Sequence, residues 1–471
     1  MLIHVVAPGE YLGQIAGYYH VSVAKIINAN HLPNPNRLVV GESILIPTED
    51  VFHTVSIGET LWGIARTYRT TVQAITSVNR ITNLDYIYPG LKLYIKAPIY
   101  RIKPGDTLQR IAQNYEVTLQ NLLRANDITN PANVSPDTAI VIPIKQRPVI
   151  YVNAYIYQLK ELAASIVRED GEHLTYLSPF AYRIKENGSL EQIDDTAAIN
   201  TALAEKAVPM MAITNFTSTE LGNNLAHIIL ASNKIQETLL TNIIKTMEVK
   251  GYKGVNIDFE NVLPADRKLY NQFLKLAVDR LHPRGFFVSS ALAPKTNAAQ
   301  VGNLYEAHDY EAHGRIADFV VLMTYEWGYR MGPPQAISPI NEIKRVLDYA
   351  VSVIPREKIY FGFQIYARDW VIPHVQGEEA ETFSNQEAIQ RAVNNNAVIM
   401  YDIKAQSPFY RYVDKRGIMH EVWFEDARST QAKFDMVKNY KLKGISYWAL
   451  GYPFPQNWAL LEDNFTIKKL I

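Results

Sequence analysis

Residues 254–260 read Gly-Val-Asn-Ile-Asp-Phe-Glu. Successive side chains of a strand point to opposite faces. An extended segment therefore puts Val255, Ile257 and Phe259 on one face and Asn256, Asp258 and Glu260 on the other. Same-face neighbours lie ~6.6 Å apart along a strand, so Asp258 reaches both polar neighbours. Two buried carboxyl groups this close do not both ionise, and one keeps a proton near neutral pH. A protonated carboxyl beside an ionised one is the equipment for glycoside cleavage. The competing reading is a buried salt-bridge cluster, but the strand carries no arginine or lysine on its inward face to complete one. Other chemistries are poorly served. His420-Glu421 begins like a zinc motif, yet Phe424 stands where the second histidine belongs. There is no G-x-S-x-G elbow and no phosphate-binding loop. The absence of cysteine removes disulfides, thiolate metal sites and cysteine nucleophiles. No metal and no cofactor is expected.

The carboxyl-bearing segment needs a scaffold, and residues 149–471 supply its pattern. Short apolar runs alternate with longer amphipathic stretches, the signature of parallel strands joined by helices. The expected strands are VIYVNAYIY from Val149, LTYLSPFAY from Leu174, VPMMAITNF from Val208 and GVNIDFE from Gly254. FFVSSALAP from Phe286, DFVVLMTYE from Asp318, KIYFGFQIY from Lys358 and GISYWALGY from Gly444 follow. Eight strands in a segment of this size predict an α/β fold, a (β/α)8 TIM barrel. A doubly wound sheet would also alternate, but no glycine-rich loop follows the first strand. The longest interval lies between strands seven and eight. It contains FYRYVDKRGIMHEVWFED, which predicts an inserted hairpin turning at Asp414–Gly417.

The first third repeats three times. After Gly9, Gly58 and Gly105 comes L-x-x-I-A-x-x-Y, beginning at Leu12, Leu61 and Leu108. That spacing makes one apolar stripe on a short helix. Asp106 and Thr107 occupy the expected helix start in the third copy. A second short helix ends at Asn30, Asn79 or Asn126, and each unit closes on a strand: SILIP, LKLYI or AIVIP. The implied unit is βααβ, with boundaries at 1–49, 50–97 and 98–146. The third copy carries Asp137 where the others have Gly41 and Gly90. A linker with prolines at both ends, Pro143 to Pro148, leads into the barrel.

The repeats resemble the LysM module, which implies binding to N-acetylglucosamine-containing glycans such as peptidoglycan. The resemblance places the groove of the first copy around 8–12 and 30–34. The simpler alternative is that the repeats are spacers. KGVNIDFEN resembles the D-G-x-D-x-D-x-E signature of family 18 glycoside hydrolases, with Lys253 and Asn256 in place of two aspartates and Asn256 expected among the substrate-binding residues. The resemblance implies Glu260 as proton donor and Asp258 as the group that orients the substrate acetamide. The acetamido oxygen is then the nucleophile, and hydrolysis proceeds with retention. Met323-Thr-Tyr-Glu326 resembles the family's M-x-Y-D, making Tyr325 the donor to the acetamido oxygen and Glu326 a sugar contact. GFQIYARDW resembles the strand-seven motif and makes Tyr366 a lining residue. Trp448 matches the tryptophan under the reacting sugar.

Modules and barrel together resemble spore-peptidoglycan hydrolases of endospore-forming bacteria. This implies an N-acetylglucosaminidase acting on spore cortex, located at the spore and made in the mother cell. The alternatives are a chitinase and a glycan-binding coat protein without turnover. Lysine plus arginine and aspartate plus glutamate number 47 each, so a nucleic-acid partner is not expected. No run of about 18 apolar residues predicts a membrane span, and the N-terminal residues do not read as a secretory signal. Oligomeric state stays open.

Overall fold

The computed structural model describes every residue except Pro33, Asp85, Tyr86, Asn133, Ser218 and Thr219. Pro33 belongs to the loop expected to line the first module's groove, so that part of the expectation lies outside the described residues. The chain forms two compact units: Met1–Leu38 with Ser43–Arg147, and Val39–Glu42 with Pro148–Ile471.

In the first unit each repeat is strand, helix, helix, strand. The first runs Leu2–Val5, Leu12–Tyr19, Val23–Asn30 and Ser43–Ile46. The second runs Val51–Thr54, Leu61–Thr67, Val72–Asn79 and Lys92–Ile95. The third runs Ile99–Arg101, Leu108–Asn114, Leu119–Ala125 and Ala139–Val141. The two strands of each pair antiparallel. Leu12, Ile15 and Ala16, and their equivalents, are the buried stripe of the first helix. Thr107 caps the third copy's helix by accepting from the Arg110 N–H; Asp106 instead accepts from the Tyr100 hydroxyl.

The repeated asparagines are staples. Asn79 Nδ2 donates to the Ile75 and Tyr94 carbonyls, both at 2.8 Å, and its Oδ1 accepts from the Tyr94 N–H at 2.8 Å. Asn30 does the same with Ile26 and Leu45, and Asn126 with Leu122 and Val141. Each side chain thereby ties the end of the second helix to the closing strand. Gly41, Gly90 and Asp137 all take positive φ, at 85°, 92° and 66°. The aspartate keeps the turn because Asp is among the few non-glycine residues that tolerate this region. Units this small need help from neighbours. Tyr94 of the second repeat packs against the first repeat's core, and Arg147 pairs with Glu49 at 2.7 Å.

The second unit contains a closed barrel of eight parallel strands: Val149–Ile156, Tyr176–Pro179, Val208–Thr214, Gly254–Asp258, Phe287–Leu292, Phe319–Leu322, Ile359–Gln364 and Gly444–Trp448. The last pairs with the first and closes the ring. Tyr176, Met210, Phe319 and Tyr360 fill the interior near the strand starts, together with Tyr151 and Phe287. A Cβ on Gly254 would lie 2.3 Å from the Phe287 ring, so only glycine leaves room for this aromatic plug. Polar side chains begin at this plug, where Asn153 bonds Ser446 and Ser178, and continue toward the C-terminal end.

All eight barrel strands are shorter than their sequence patterns, three of them with consequences for the site. The second stops at Pro179, the sixth at Leu322 and the seventh at Gln364. Met323–Glu326 leaves the sheet, and Glu326 takes φ 71°. Tyr366 does not belong to the seventh barrel strand: it begins an antiparallel strand, Tyr366–Ile372. The expected hairpin is present as Ser407–Val413 paired with Met419–Trp423, but it is part of a larger insertion. These strands join Tyr366–Ile372, Glu381–Ser384 and Met400–Asp402 in a five-stranded sheet, beside the helix Asn385–Asn394.

Replacing Asn79 by alanine leaves the Tyr94 backbone groups without their partner. The expected loss is about 1–3 kcal/mol for the second repeat. Hydrogen exchange checks it, with faster exchange at the Tyr94 amide and unchanged barrel amides.

Candidate active site

The fourth barrel strand presents the sequence alternation in space. Phe259 points outward, with ring centroids 5.5 Å from Tyr270 and 5.7 Å from Phe273 on the helix Arg267–Leu281. Asn256 points inward and is fully buried. Its Oδ1 accepts from the Tyr155 hydroxyl at 2.9 Å, and its Nδ2 donates to Ser289 Oγ at 2.9 Å. A neutral amide bound at both ends is a fixed strut and takes no proton. Lys253, the other departure from the family signature, is exposed at the strand's opposite end.

Asp258 closes the strand and is buried, and its Oδ1 has no hydrogen-bond partner among the described residues. Burial first, and the neighbouring Glu260 second, hold its carboxyl well above the ordinary range. Burial and then the Glu326 carboxylate push Glu260 up to about 7. Near neutral pH the pair therefore holds protons that ordinary carboxyls have lost.

Tyr325 lies within electrostatic reach of Tyr155, Asp258, Tyr366 and Glu260; burial and these neighbours keep its hydroxyl protonated. Glu326 is gripped by Arg368, whose Nη2 and Nη1 donate to Oε1 and Oε2 at 2.8 and 3.0 Å. The Tyr366 hydroxyl donates to the same carboxylate. Arg368 is itself buried and also donates to the Gly328 carbonyl. Trp448 ends the eighth strand, half-buried, with ring centroids 5.6 Å from Tyr155 and 4.8 Å from Phe180.

The structure thus gathers Asn256, Asp258, Glu260, Tyr325, Glu326, Tyr366 and Trp448 at the C-terminal ends of the strands, where barrel sites form. Sequence reasoning missed Tyr155 and Arg368. Tyr155 lies in the alternating first strand, YVNAYIY, whose Tyr151, Asn153 and Tyr155 share one face. Arg368 stands two residues after Tyr366 in the quoted motif, and its role depends on the insertion folding back. His420, the start of the discarded zinc pattern, bonds Asp369 at 2.8 Å. Among the described residues, no group of three or more histidine, cysteine or acidic side chains is placed to hold a metal.

A carboxyl pair raised in pKa, a buried tyrosine and a half-buried tryptophan at the mouth of a β/α barrel are suited to the cleavage of glycans. The description of glycosyl hydrolases family 18 matches residues 178–452, and LysM domains match 4–47, 53–96 and 100–143. The chain belongs to family 18 of the glycosyl hydrolases and is a glycoside hydrolase with three LysM domains. It is 42% identical to the cortical fragment-lytic enzyme of Bacillus subtilis (strain 168), over 100% of this chain and 99% of that protein. The cortical fragment-lytic enzyme of Bacillus cereus is 44% identical over 68% of this chain and 75% of its own length. The crystal structure of the spore cortex-lytic enzyme SleL of Bacillus megaterium QM B1551 superposes with a TM-score of 0.80 at 36% identity, covering 100% of this chain and 99% of that one.

The raised Glu260 pKa affects stability. Below about pH 4.5 the carboxyl is protonated in folded and unfolded chains alike. Between 4.5 and about 7 only the unfolded chain ionises, so stability falls across that window. Glu260→Gln is expected to raise Tm by roughly 2–6 °C at pH 8 and to leave it unchanged at pH 4. Thermal unfolding at both values checks it.

Proposed function

We propose that this chain hydrolyses spore-cortex peptidoglycan as an N-acetylglucosaminidase, by a retaining, substrate-assisted mechanism. The observation that carries the chemistry is the Asp258–Glu260 pair, protonated near neutral pH beside the Tyr325 hydroxyl. The substrate class rests on the likeness, over the full chain, to a cortical fragment-lytic enzyme. That likeness also supports action at the spore.

Glu260 gives its proton to the glycosidic oxygen as the bond to the anomeric carbon breaks. The substrate's acetamido oxygen forms the new bond to that carbon. Asp258 accepts from the acetamide N–H through its unpartnered oxygen, and Tyr325 donates to the acetamido oxygen. Water then attacks the anomeric carbon as the bond to the acetamido oxygen breaks, which restores the acetamide, and passes its proton to Glu260, which is restored. Trp448 offers a flat apolar surface to the C–H face of the reacting sugar. Glu326 and Tyr366 bind sugar hydroxyls, while Asn256 keeps Asp258 in register. Residues 149–471 are the catalyst, and the modules at 1–49, 50–97 and 98–146 are tethers. Three weak contacts to one polymer raise the effective concentration at each next site.

Mass spectrometry of soluble cortex fragments tests the reading. Wild type is expected to yield new reducing N-acetylglucosamine ends, and Glu260→Gln to yield none. Cleavage of chitin oligomers alone would move the activity to the chitinases, and no product from either would leave a glycan-binding protein. Because the acid works protonated, kcat/KM is expected to fall as pH rises through about 7. Removing residues 1–146 should weaken sedimentation with insoluble cortex while sparing turnover of soluble fragments.

A further inference from the structure

Strand pairing ends before the acid. The ladder between the third and fourth barrel strands closes at Thr214↔Asp258, and that between the fourth and fifth at Ile257↔Ser290. Phe259 and Glu260 run past both, with backbone groups that need other partners. Side chains supply them. Asn215, fully buried directly after the third strand, accepts from the Glu260 N–H through Oδ1 at 2.9 Å. Its Nδ2 donates one hydrogen to the Glu260 carbonyl at 2.8 Å and the other to the Gly222 carbonyl at 3.0 Å. Gly222 has φ +72°, and a Cβ there would lie 2.0 Å from the Asn215 carbonyl oxygen. The loop therefore closes on Asn215 only with glycine at 222.

The other side is held as well. His308 Nδ1 accepts from the Ala293 N–H at 2.7 Å, which leaves its Nε2–H to donate to the Phe259 carbonyl at 2.9 Å. Burial lowers His308 to about 4, so the ring stays neutral and keeps this arrangement.

We propose that Asn215 is a positioning residue for the acid: its side-chain amide replaces the missing strand partner and locks the backbone of Glu260 at both N–H and C=O. The proposal rests on Glu260 being the proton donor. A carboxyl two residues beyond the last ladder pair would otherwise swing with its own backbone. Misplacement of a reacting group by ~1 Å lowers rates on the order of 100-fold.

The full chain is assayed on soluble cortex fragments, and the Glu260 carboxyl is followed by isotope-edited infrared titration. Asn215→Leu is expected to lower kcat about 10–100-fold with KM within about twofold. The same variant should lower the Glu260 titration point, because an unclamped carboxyl relaxes toward solvent. A folded Asn215→Leu with wild-type kcat and wild-type titration overturns the proposal. If that variant does not fold, Asn215→Asp carries the test: it keeps the acceptor for the Glu260 N–H but sets an anion against the Glu260 carbonyl. A reduced kcat at unchanged KM supports the clamp there, and wild-type kcat overturns it. Full turnover by Glu260→Gln would remove the acid assignment instead. The infrared titration then decides the clamp alone, a lowered Glu260 titration point supporting it and an unchanged one overturning it.

Discussion

Three carboxyl groups, Asp258, Glu260 and Glu326, share one cleft, and they cannot all be charged. Arg368 grips one of them, Glu326. Its guanidinium meets both oxygens of Glu326, and the Tyr366 hydroxyl adds a third hydrogen bond. A bidentate pair of this kind favours the ionised form. Burial and then Glu326 push Glu260 up, and burial and then Glu260 hold Asp258 well above the ordinary range. The acid chemistry thus begins from an arginine that touches neither member of the carboxyl pair in the hydrogen-bond pattern.

That arginine comes from outside the barrel. Tyr366 and Arg368 lie on the first strand of the insertion between barrel strands seven and eight. The same strand carries Trp370, whose indole N–H donates to the Gly332 carbonyl at 2.8 Å. The barrel itself divides its interior by chemistry. Aromatic rings close the end where the strands begin, and the polar side chains of Tyr155, Asn256 and Ser289 form a chain of hydrogen bonds toward the other. A closed hydrophobic end and a polar mouth leave one place where buried carboxyl groups can meet a glycan.

The LysM units solve a different problem, that of folding with very little core. Their three copies keep one asparagine staple with the same partners in each. They also vary one surface contact. His4 and His53 bond Glu10 and Glu59, each at 2.8 Å, where the third copy uses Tyr100 and Asp106. The repeat keeps its backbone geometry and changes the donor.

Much of this was legible in the residues. Periods of two and 3.6 revealed the strands and helices, because each element buries one face. The threefold repeat revealed itself by its glycines and asparagines, and the polar face of 254–260 by simple alternation. What alternation could not reveal was which residues lie beyond the last ladder bond. Glu260 and Tyr366 both read as strand, yet one leaves the sheet and the other starts a new one. Arg368 and Asn215 gave no local signal for a further reason. The first acts across 42 residues of sequence and the second across 45, and such pairings exist only once the barrel and its insertion have closed. Local residue types determined the elements and the candidate chemistry. Tertiary packing decided the charge state of each carboxyl, because that depends on burial and on partners distant in sequence.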